Sequence, residues 1–404
     1  MHDSDEGGKP PKEIAKVRRW DRGAWKAAPL WYPQTDNRKA HEVYNVSLES
    51  FHAKRAAILY NPVARGLSRH QNLLQRTIAV LARQGIEGQL VATKGPGTAG
   101  TQARRQIEAG KDLIIAAGGD GTVNEVANGM LHTGVPLAIL PGGTANVLAC
   151  EMRLPIHLEK AAAQVSNLVP HAIAAGGLRI GGSDSRAFLC MAGAGLDAEI
   201  VSRLNLDLKA ATGKFAYYVA GFGHVFRPLK EFEVTVDGRR FEASFALVSR
   251  VRNYGGDLEI ARGASLMRDD FEVVLFRGTV SARYLQYFVG VALKRVERIK
   301  GCTVLRGRAV TCSHPQGNGV CVQIDGELAG NLPITAEILP NALTLLLPPE
   351  YLAREQSYLL RNSAAAPGAA AWRSSADSLS SVDQAPLGGR ANEFGVGANP
   401  VPGQ

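Results

Sequence analysis

The sequence has few cysteines, few aromatic residues and no long apolar run. Its five cysteines are spread over 404 residues and none lies in a Cys-x-x-Cys pair, which argues against a disulfide framework or a zinc site and favours a reducing compartment. No run approaches the about 18 apolar residues of a membrane span. The charged N-terminal stretch also lacks an apolar leader segment. We therefore expect a cytoplasmic protein, with any membrane contact peripheral and on the inner face.

Positive charge is in excess, and the formal net charge is +9. Such a charge suits an acidic partner, which would be a nucleotide, an anionic membrane surface or a nucleic acid. A basic enzyme without such a partner is the alternative. We do not expect a nucleic-acid partner, because the basic residues are not interleaved with a platform of stacking aromatics.

The chain length predicts two domains with tails. We interpret residues 1–53 as a charged, partly disordered arm with several tryptophans. Residues 54–152 alternate short apolar strands with helices, which is the pattern of a parallel sheet covered by helices. The predicted strands are AAILY (56–60), QLVAT (89–93), DLIIAA (112–117) and PLAILP (136–141).

Residues 153–350 instead show many short alternating strands with turn signals, and they predict a β-rich antiparallel sandwich. We expect helices in it near 208–225 and at 281–300. Residues 362–404 are rich in Ala, Ser, Gly and Pro, and we expect a disordered tail. The fold class is thus an α/β domain with a parallel sheet, followed by a β-rich domain.

The stretch GGDGT (118–122) lies where a predicted parallel strand ends and a helix begins. Ligands of open α/β sheets bind at this edge, and the first turn of a helix attracts phosphate. Gly118, Gly119 and Gly121 leave the backbone N–H groups open to a phosphate, and Thr122 can cap the helix or donate its hydroxyl. Asp120 beside a phosphate implies Mg²⁺. The alternative is an ordinary glycine turn with Asp120 as a helix cap.

A second glycine turn, LPGGTAN (140–146), ends the next predicted strand. Because parallel strands end at one edge of a sheet, Gly142, Gly143 and Thr144 can face the same phosphates. The loop GPGTAG (95–100) matches G-x-G-x-x-G but does not follow the first strand, so we interpret it as a loop beside the nucleotide, with Thr93 at its strand end.

A carboxylate pair follows a predicted strand of the second domain in IDGEL (324–328). Asp325 and Glu327 are two residues apart, which in an extended chain places them on the same side. Phosphoryl transfer to a hydroxyl needs a carboxylate base besides positioning and cations. The alternative is a hairpin with an Asp-Gly turn.

Six motifs follow one another in suitable order: AAGGDGTVNEVANG, LPGGTANVLA, FLCMAGAGLDAEIV, TGKFAYYVAG, VRNYGGDLEIARGASL and VQIDGELAG. Together they closely resemble the bacterial lipid kinases of the diacylglycerol kinase catalytic-domain family, relatives of sphingosine kinases. The resemblance covers about Lys54 to Pro349. It implies an ATP-dependent lipid kinase with a nucleotide-binding domain and a lipid-binding domain, and ATP and Mg²⁺ as cofactors.

The resemblance also assigns roles to individual positions. Glu327 matches the general base, with Asp325 beside it, and Asp120 matches the acid of the Mg-ATP site. The positions implied to contact ATP are Asn61, Pro62, Val63, Ala64, Arg65, Thr93, Gly118, Gly119, Asp120, Gly121, Thr122, Val123, Asn124, Gly142, Gly143 and Thr144.

A structural metal in the second domain is implied as well, with Leu266, Asp269 and Phe271 as its ligands. Asp270 stands where the family often has glycine, and the loop is one residue shorter, so the sequence leaves open whether the metal is retained. Val147 also departs from the family, in which an acid often follows the asparagine of this turn.

We expect transfer of the γ-phosphate of Mg-ATP to a hydroxyl of a lipid, either diacylglycerol or a sphingoid-like lipid. The alternatives are a kinase of a small molecule such as NAD, or a nucleotide- or lipid-binding regulator without turnover, which Val147 would permit. Basic residues between 283 and 308 suggest contact with an anionic membrane surface; they are Arg283, Lys294, Arg295, Arg298, Lys300, Arg306 and Arg308. A solvated helix face is the alternative.

Overall fold

Apolar strands alternate with helices through the first part of the computed structural model, as the sequence predicts. The strands are β1 (Arg55–Tyr60), β2 (Glu87–Ala92), β3 (Leu113–Gly118) and β4 (Leu137–Pro141). The helices are α1 (Gln71–Ala82), α2 (Ala99–Glu108), α3 (Asp120–Met130) and α4 (Val147–Met152). We call residues 55–152 the α/β lobe.

The four strands of the α/β lobe pair in the order β2-β1-β3-β4, and all three pairings are parallel. Every residue of β3 and β4 is buried, because helices cover both faces of a parallel sheet. The predicted parallel sheet is therefore confirmed.

The rest of the described chain is mainly strands. It comprises α5 (Leu158–Ala162), a short 3-10 turn (Val165–Asn167), β5 (Val169–Ile180), β6 (Arg186–Phe188), β7 (Met191–Gly195), β8 (Phe232–Val236), β9 (Arg239–Ala243), β10 (Phe245–Ser249), β11 (Asn253–Tyr254), β12 (Leu258–Glu259), β13 (Phe271–Phe276), β14 (Cys302–Gly307), β15 (Ala309–Ser313), β16 (Cys321–Ile324), β17 (Glu327–Asn331), β18 (Ile334–Leu347) and α6 (Pro349–Ala364). We call residues 169–347 the β-rich lobe.

The two lobes share a sheet through β18. This strand pairs in parallel with β4 at Leu345 and Leu137, and it pairs antiparallel with β5 and β15. A second sheet has the order β14-β13-β10-β7-β16-β17, with all pairings antiparallel. The predicted boundary between residues 152 and 153 stays a prediction, because the shared sheet continues across it.

The two sheets of the β-rich lobe enclose a core of their own. Strands β5, β8, β15 and β18 contribute to it from the shared sheet, and β7, β10, β13 and β16 from the other. Inside it the rings of Phe188 and Phe271 stack with their centroids 5.6 Å apart. This core confirms the predicted sandwich.

The structure describes residues 53–63, 71–196, 198, 229–255, 258–279, 298–314 and 319–364, with a few positions between 286 and 295. These residues belong to one unit, Ser50–Gln404. The predicted arm almost entirely, the helix near 208–225, and most of the helix at 281–300 lie outside this part. Helix α6 runs to Ala364, so the first residues of the predicted disordered tail, 362–364, are helical instead. The rest of that tail lies outside the described residues. In the described part, no helix is both long enough and apolar enough to cross a bilayer.

Candidate active site

The two glycine turns lie side by side at the carboxyl edge of the parallel sheet. Gly118 is the register partner of Pro141, and Gly142 donates its N–H to the Gly118 carbonyl at 2.8 Å. A Cβ on Gly143 would come within 2.5 Å of the Gly119 Cα. Because the two backbones approach this closely, only glycine fits at the contact.

Asp120 connects the two turns. It begins α3, and its Oδ1 accepts a hydrogen bond of 2.7 Å from the backbone N–H of Val147, which begins α4. Burial raises the pKa of Asp120 to about 6, the negative charge of Asp325 acts in the same direction, and the Val147 hydrogen bond opposes them. The acid that the sequence assigned to a magnesium site thus also caps the helix that follows the second turn.

A cleft of about 690 Å³ opens beside these turns. Its lining includes eleven of the predicted site positions: Asn61, Pro62, Val63, Thr93, Gly119, Gly121, Thr122, Gly142, Gly143, Thr144 and Glu327. Five other predicted positions are described but do not line this cleft: Gly118, Asp120, Val123, Asn124 and Asp325. Ala64 and Arg65 lie outside the described residues. The cleft therefore brings together residues from both glycine turns, from the ends of β1 and β2, and from the β-rich lobe.

Glu327 reaches the cleft from the β-rich lobe. It begins β17, and a Cβ on Gly121 would clash with its Oε1. Its Oε2 accepts a hydrogen bond of 2.9 Å from Arg186 of β6. The base that the sequence predicted is thus held against the first turn of α3.

Asp325 occupies a different place from Glu327, and the expectation that both carboxylates share one side is wrong. Asp325 and Gly326 form the two-residue turn between β16 and β17, with φ values of 46° and 86°. Both values are positive, as in the turns that favour Asp-Gly in tight hairpins. The chain is therefore not extended here, and the Asp325 carboxylate is buried while that of Glu327 is half-exposed.

Four donors surround the Asp325 carboxylate. Three are the successive backbone N–H groups of residues 189–191, and the fourth is the side-chain amide of Asn124, at distances from 2.8 to 3.0 Å. Burial raises the pKa of Asp325, and these hydrogen bonds oppose the rise. Asp325 thus ties the hairpin to β7 and to α3 of the α/β lobe.

Three side chains received no role from the sequence; Glu125 and Lys94 line the cleft, and Arg186 contacts Glu327 beside it. Arg186 bonds Asn124 Oδ1 at 3.1 Å in addition to Glu327. Glu125 accepts the N–H groups of Gly97 and Ala99 at 2.8 and 3.1 Å, and so fixes the GPGTAG loop. Lys94 adds a cationic side chain to the lining. Only Lys94 had a local signal, because it precedes that loop, whereas the other two depend on contacts distant in sequence.

The positions predicted for a second metal are elsewhere. Leu266 and Asp269 lie in the loop before β13, and Phe271 begins β13. None of them lines the cleft. The cleft thus joins two glycine turns at the edge of the parallel sheet with a carboxylate from the second lobe, an arrangement suited to phosphoryl transfer.

Sequence models of two domains match this chain. The diacylglycerol kinase catalytic domain matches residues 55–177, and the YegS C-terminal NAD kinase beta sandwich-like domain matches residues 190–347. The chain belongs to the diacylglycerol kinase catalytic-domain family, a family of lipid kinases.

Relatives of known name agree with this assignment. A diacylglycerol kinase of Staphylococcus saprophyticus is 30% identical over 286 residues, which cover 69% of this chain and 91% of the relative. One from Staphylococcus carnosus is 28% identical and covers 69% of this chain and 90% of the relative. The crystal structure of a diacylglycerol kinase from Bacillus anthracis superposes with a TM-score of 0.60 at 23% identity, over 74% of this chain and 99% of that one. This last likeness shows the shared fold.

Proposed function

We propose that the protein is an ATP-dependent lipid kinase that transfers the γ-phosphate of Mg-ATP to a lipid hydroxyl. The observation that carries the proposal is the position of Glu327. Its carboxylate comes from the β-rich lobe and lies against Gly121 in the first turn of α3. A base from one lobe thus meets the phosphate-binding end of a helix from the other.

The phosphates of ATP would bind at the start of α3 and along the glycine turns. The first N–H groups of a helix have no partner within the helix and carry partial positive charge. Gly119, Gly121 and Gly143 line the cleft and have no side chains that would cover the backbone of the two glycine turns. Lys94 supplies a full positive charge in the same cleft.

Asp120 is the acid of the site that would hold a magnesium ion arriving with ATP. Mg²⁺ prefers oxygen ligands and is usually held by one or two carboxylates together with substrate phosphates. Asp120 uses Oδ1 for the Val147 N–H, and its carboxyl has a raised pKa, which a nearby cation would lower. When bound, the ion would neutralise charge on the phosphates.

In the transfer step, Glu327 accepts the proton of the lipid hydroxyl while the hydroxyl oxygen attacks the γ-phosphorus. The bond between that phosphorus and the bridging oxygen breaks, and ADP leaves with the electron pair. Arg186 holds Glu327 in place through Oε2, which leaves Oε1 for the proton. Positioning and charge stabilisation supply most of the acceleration in such transfers.

The names of the relatives favour diacylglycerol as the acceptor, and a sphingoid-like lipid is the second choice. The test incubates the protein with Mg-ATP and a panel of lipids that also contains NAD, and identifies products by mass spectrometry. A phosphorylated lipid supports the proposal. Phosphorylated NAD alone would indicate a small-molecule kinase, and ATP binding without any product would indicate a regulator.

Exposed basic residues in the β-rich lobe support contact with an anionic membrane. Arg295, Arg298 and Lys300 are exposed, and Leu293 beside them is 64% exposed. Arg306 is not available in the same way, because it bonds Asp270 and the Gly263 carbonyl. Each Lys or Arg side chain near such a surface contributes about 1 kcal/mol to the free energy of membrane binding.

Sedimentation with vesicles containing anionic lipid tests this contact. Replacing Arg295, Arg298 and Lys300 together by alanine should weaken binding by about 100-fold, since roughly 3 kcal/mol is lost. Replacing the exposed Arg239 and Arg240 of β9 should have little effect. Equal binding to neutral and anionic vesicles would contradict the contact.

A further inference from the structure

Arg250 is a completely buried cation outside the candidate active site. It follows β10, and its relative exposure is 0%. A charged side chain in such a place is costly unless it is fully paired. An arginine guanidinium keeps its proton in proteins at neutral pH.

The two terminal nitrogens of Arg250 bond backbone carbonyl oxygens, whereas its buried Nε has no hydrogen-bond partner among the described residues. Its Nη2 donates to Ala174 on β5 at 3.0 Å and to Leu266 at 3.2 Å. Its Nη1 donates to the carbonyls of Asp270, at 2.8 Å, and of Arg268. Three of the four acceptors belong to the loop before β13. The guanidinium thus ties this loop to a strand of the other sheet.

A cage of carbonyl oxygens around a positive charge is the coordination that hard metal ions take in proteins. Here the charge comes from a side chain. The Leu266 carbonyl, one of the predicted ligands of the second metal, is already bonded to Arg250.

The remaining predicted ligands do not complete a metal site. Asp269 is exposed. The neighbouring Asp270 carboxylate is bound by Arg268, at 2.8 and 3.0 Å, and by Arg306. Both oxygens of the Asp270 carboxylate are therefore already bonded to guanidinium groups, and Arg306 also lies 3.8 Å from the third acid nearby, Glu272. The residues present do not fit the metal that the family resemblance implies.

We propose that the Arg250 guanidinium takes the place of a structural metal ion in the β-rich lobe. The loop at 265–270 is held by a cation that is part of the chain, and this lobe needs no metal for its stability. This arrangement also accounts for Asp270, which stands where the family often has glycine. Its carbonyl accepts a hydrogen bond from Arg250, and its carboxylate is neutralised by Arg268 and Arg306.

The first test uses the wild-type protein without nucleotide, after dialysis against EDTA. Its Tm is measured during titration with MgCl₂ or CaCl₂, alongside Asp269→Asn. We expect no change in Tm in either protein. A rise in the wild type that is lost in Asp269→Asn would show a metal at this loop and overturn the proposal.

The second test removes the cation. Arg250→Ala should lower Tm, and guanidinium ion at low millimolar concentration should restore part of the loss, whereas the same concentration of KCl should not. Arg306→Ala, which removes a guanidinium from the outer side of the same loop, should show no such recovery. A wild-type Tm in Arg250→Ala, or equal recovery in both variants, would overturn the proposal.

If Arg250→Ala does not fold, the wild-type titration decides alone. Neither test measures phosphate transfer, so failure here leaves the proposed function intact.

Discussion

Arg186 donates a hydrogen bond of 2.9 Å to Glu327, and the same guanidinium bonds Asn124 on α3. The Arg186 and Glu327 side chains are 39% and 49% exposed, and ion pairs of this kind add at most about 1 kcal/mol to stability. The value of this pair therefore lies in geometry, because it fixes the carboxylate of one lobe relative to a helix of the other.

Arg186→Ala should lower kcat by about 10- to 100-fold, because a base that is free to rotate loses part of the advantage of positioning. The Tm should change little, and Arg186→Lys should recover part of kcat. Steady-state kinetics and thermal unfolding of the three proteins measure both effects.

The matched control is Arg179→Ala. Arg179 forms an exposed pair with Glu337 at 3.5 Å within the shared sheet, and its loss should leave both kcat and Tm unchanged. Wild-type kcat in Arg186→Ala would rule out a positioning role for Arg186.

Asp325→Asn should destabilise the protein by several kcal/mol. All four neighbours of the carboxylate are donors, and an amide would turn an N–H₂ group toward at least one of them. Hydrogen bonds to charged groups are worth about 1.5–3 kcal/mol each, and unpaired buried donors add a further cost. Urea unfolding measures the loss. If the midpoint stayed at the wild-type value while kcat fell, Asp325 would instead assist Glu327 chemically.

Asp120 should make stability depend on pH between about 4 and 6. Its pKa is raised from 3.8 to about 6 in the folded protein, so the folded state holds a proton that the unfolded state releases. Its contribution to stability is therefore fully present below about pH 3.8 and is lost as the pH rises through about 6. The free energy of unfolding of the wild type, relative to Asp120→Asn, should fall over this range.

Asp120→Asn is the suitable reference because it cannot titrate but keeps an oxygen to accept the Val147 N–H. Turnover should move in the opposite sense, since the ionised carboxylate is the form that binds magnesium. A stability difference that does not change between pH 4 and 7 would contradict the assigned burial of this group.

Glu125→Gln should weaken ATP binding by about tenfold, the cost of one charge-assisted hydrogen bond. Glu125 holds the N–H groups of Gly97 and Ala99 in the loop that lines the cleft. The exposed Glu108 at the end of α2 provides the control, Glu108→Gln. Equal ATP affinities in both variants and the wild type, by calorimetry, would show that the loop does not contribute to the nucleotide site.

Local patterns predicted the parallel strands and both glycine turns, because short apolar runs and Gly-rich turns leave a signal within a few residues. The pairing of β18 with β4 joins segments about 200 residues apart and has no such signal. The same holds for Arg186 and Arg250, whose roles depend on partners from distant strands. Helix α6 has apolar residues two helical turns apart, Tyr351 with Tyr358 and Leu352 with Leu359, and no helix was predicted there although this signal is local.

Asp325 illustrates a different limit. The sequence placed it beside Glu327 by assuming extended chain, but the Asp-Gly pair turns the backbone between β16 and β17. Residues i and i+2 lie on the same side only in an extended strand. In this turn the Asp325 side chain is buried, whereas that of Glu327 is half-exposed.

The central claim is that Glu327 acts as the base for transfer from ATP to a lipid, and one paired measurement tests it most directly. ATP affinity and the rate of lipid phosphorylation are measured for the wild type and Glu327→Gln. We expect similar ATP affinity and a rate at least about 100-fold lower in the variant, the usual range for loss of a general base. An unchanged rate of lipid phosphorylation in Glu327→Gln would contradict the claim.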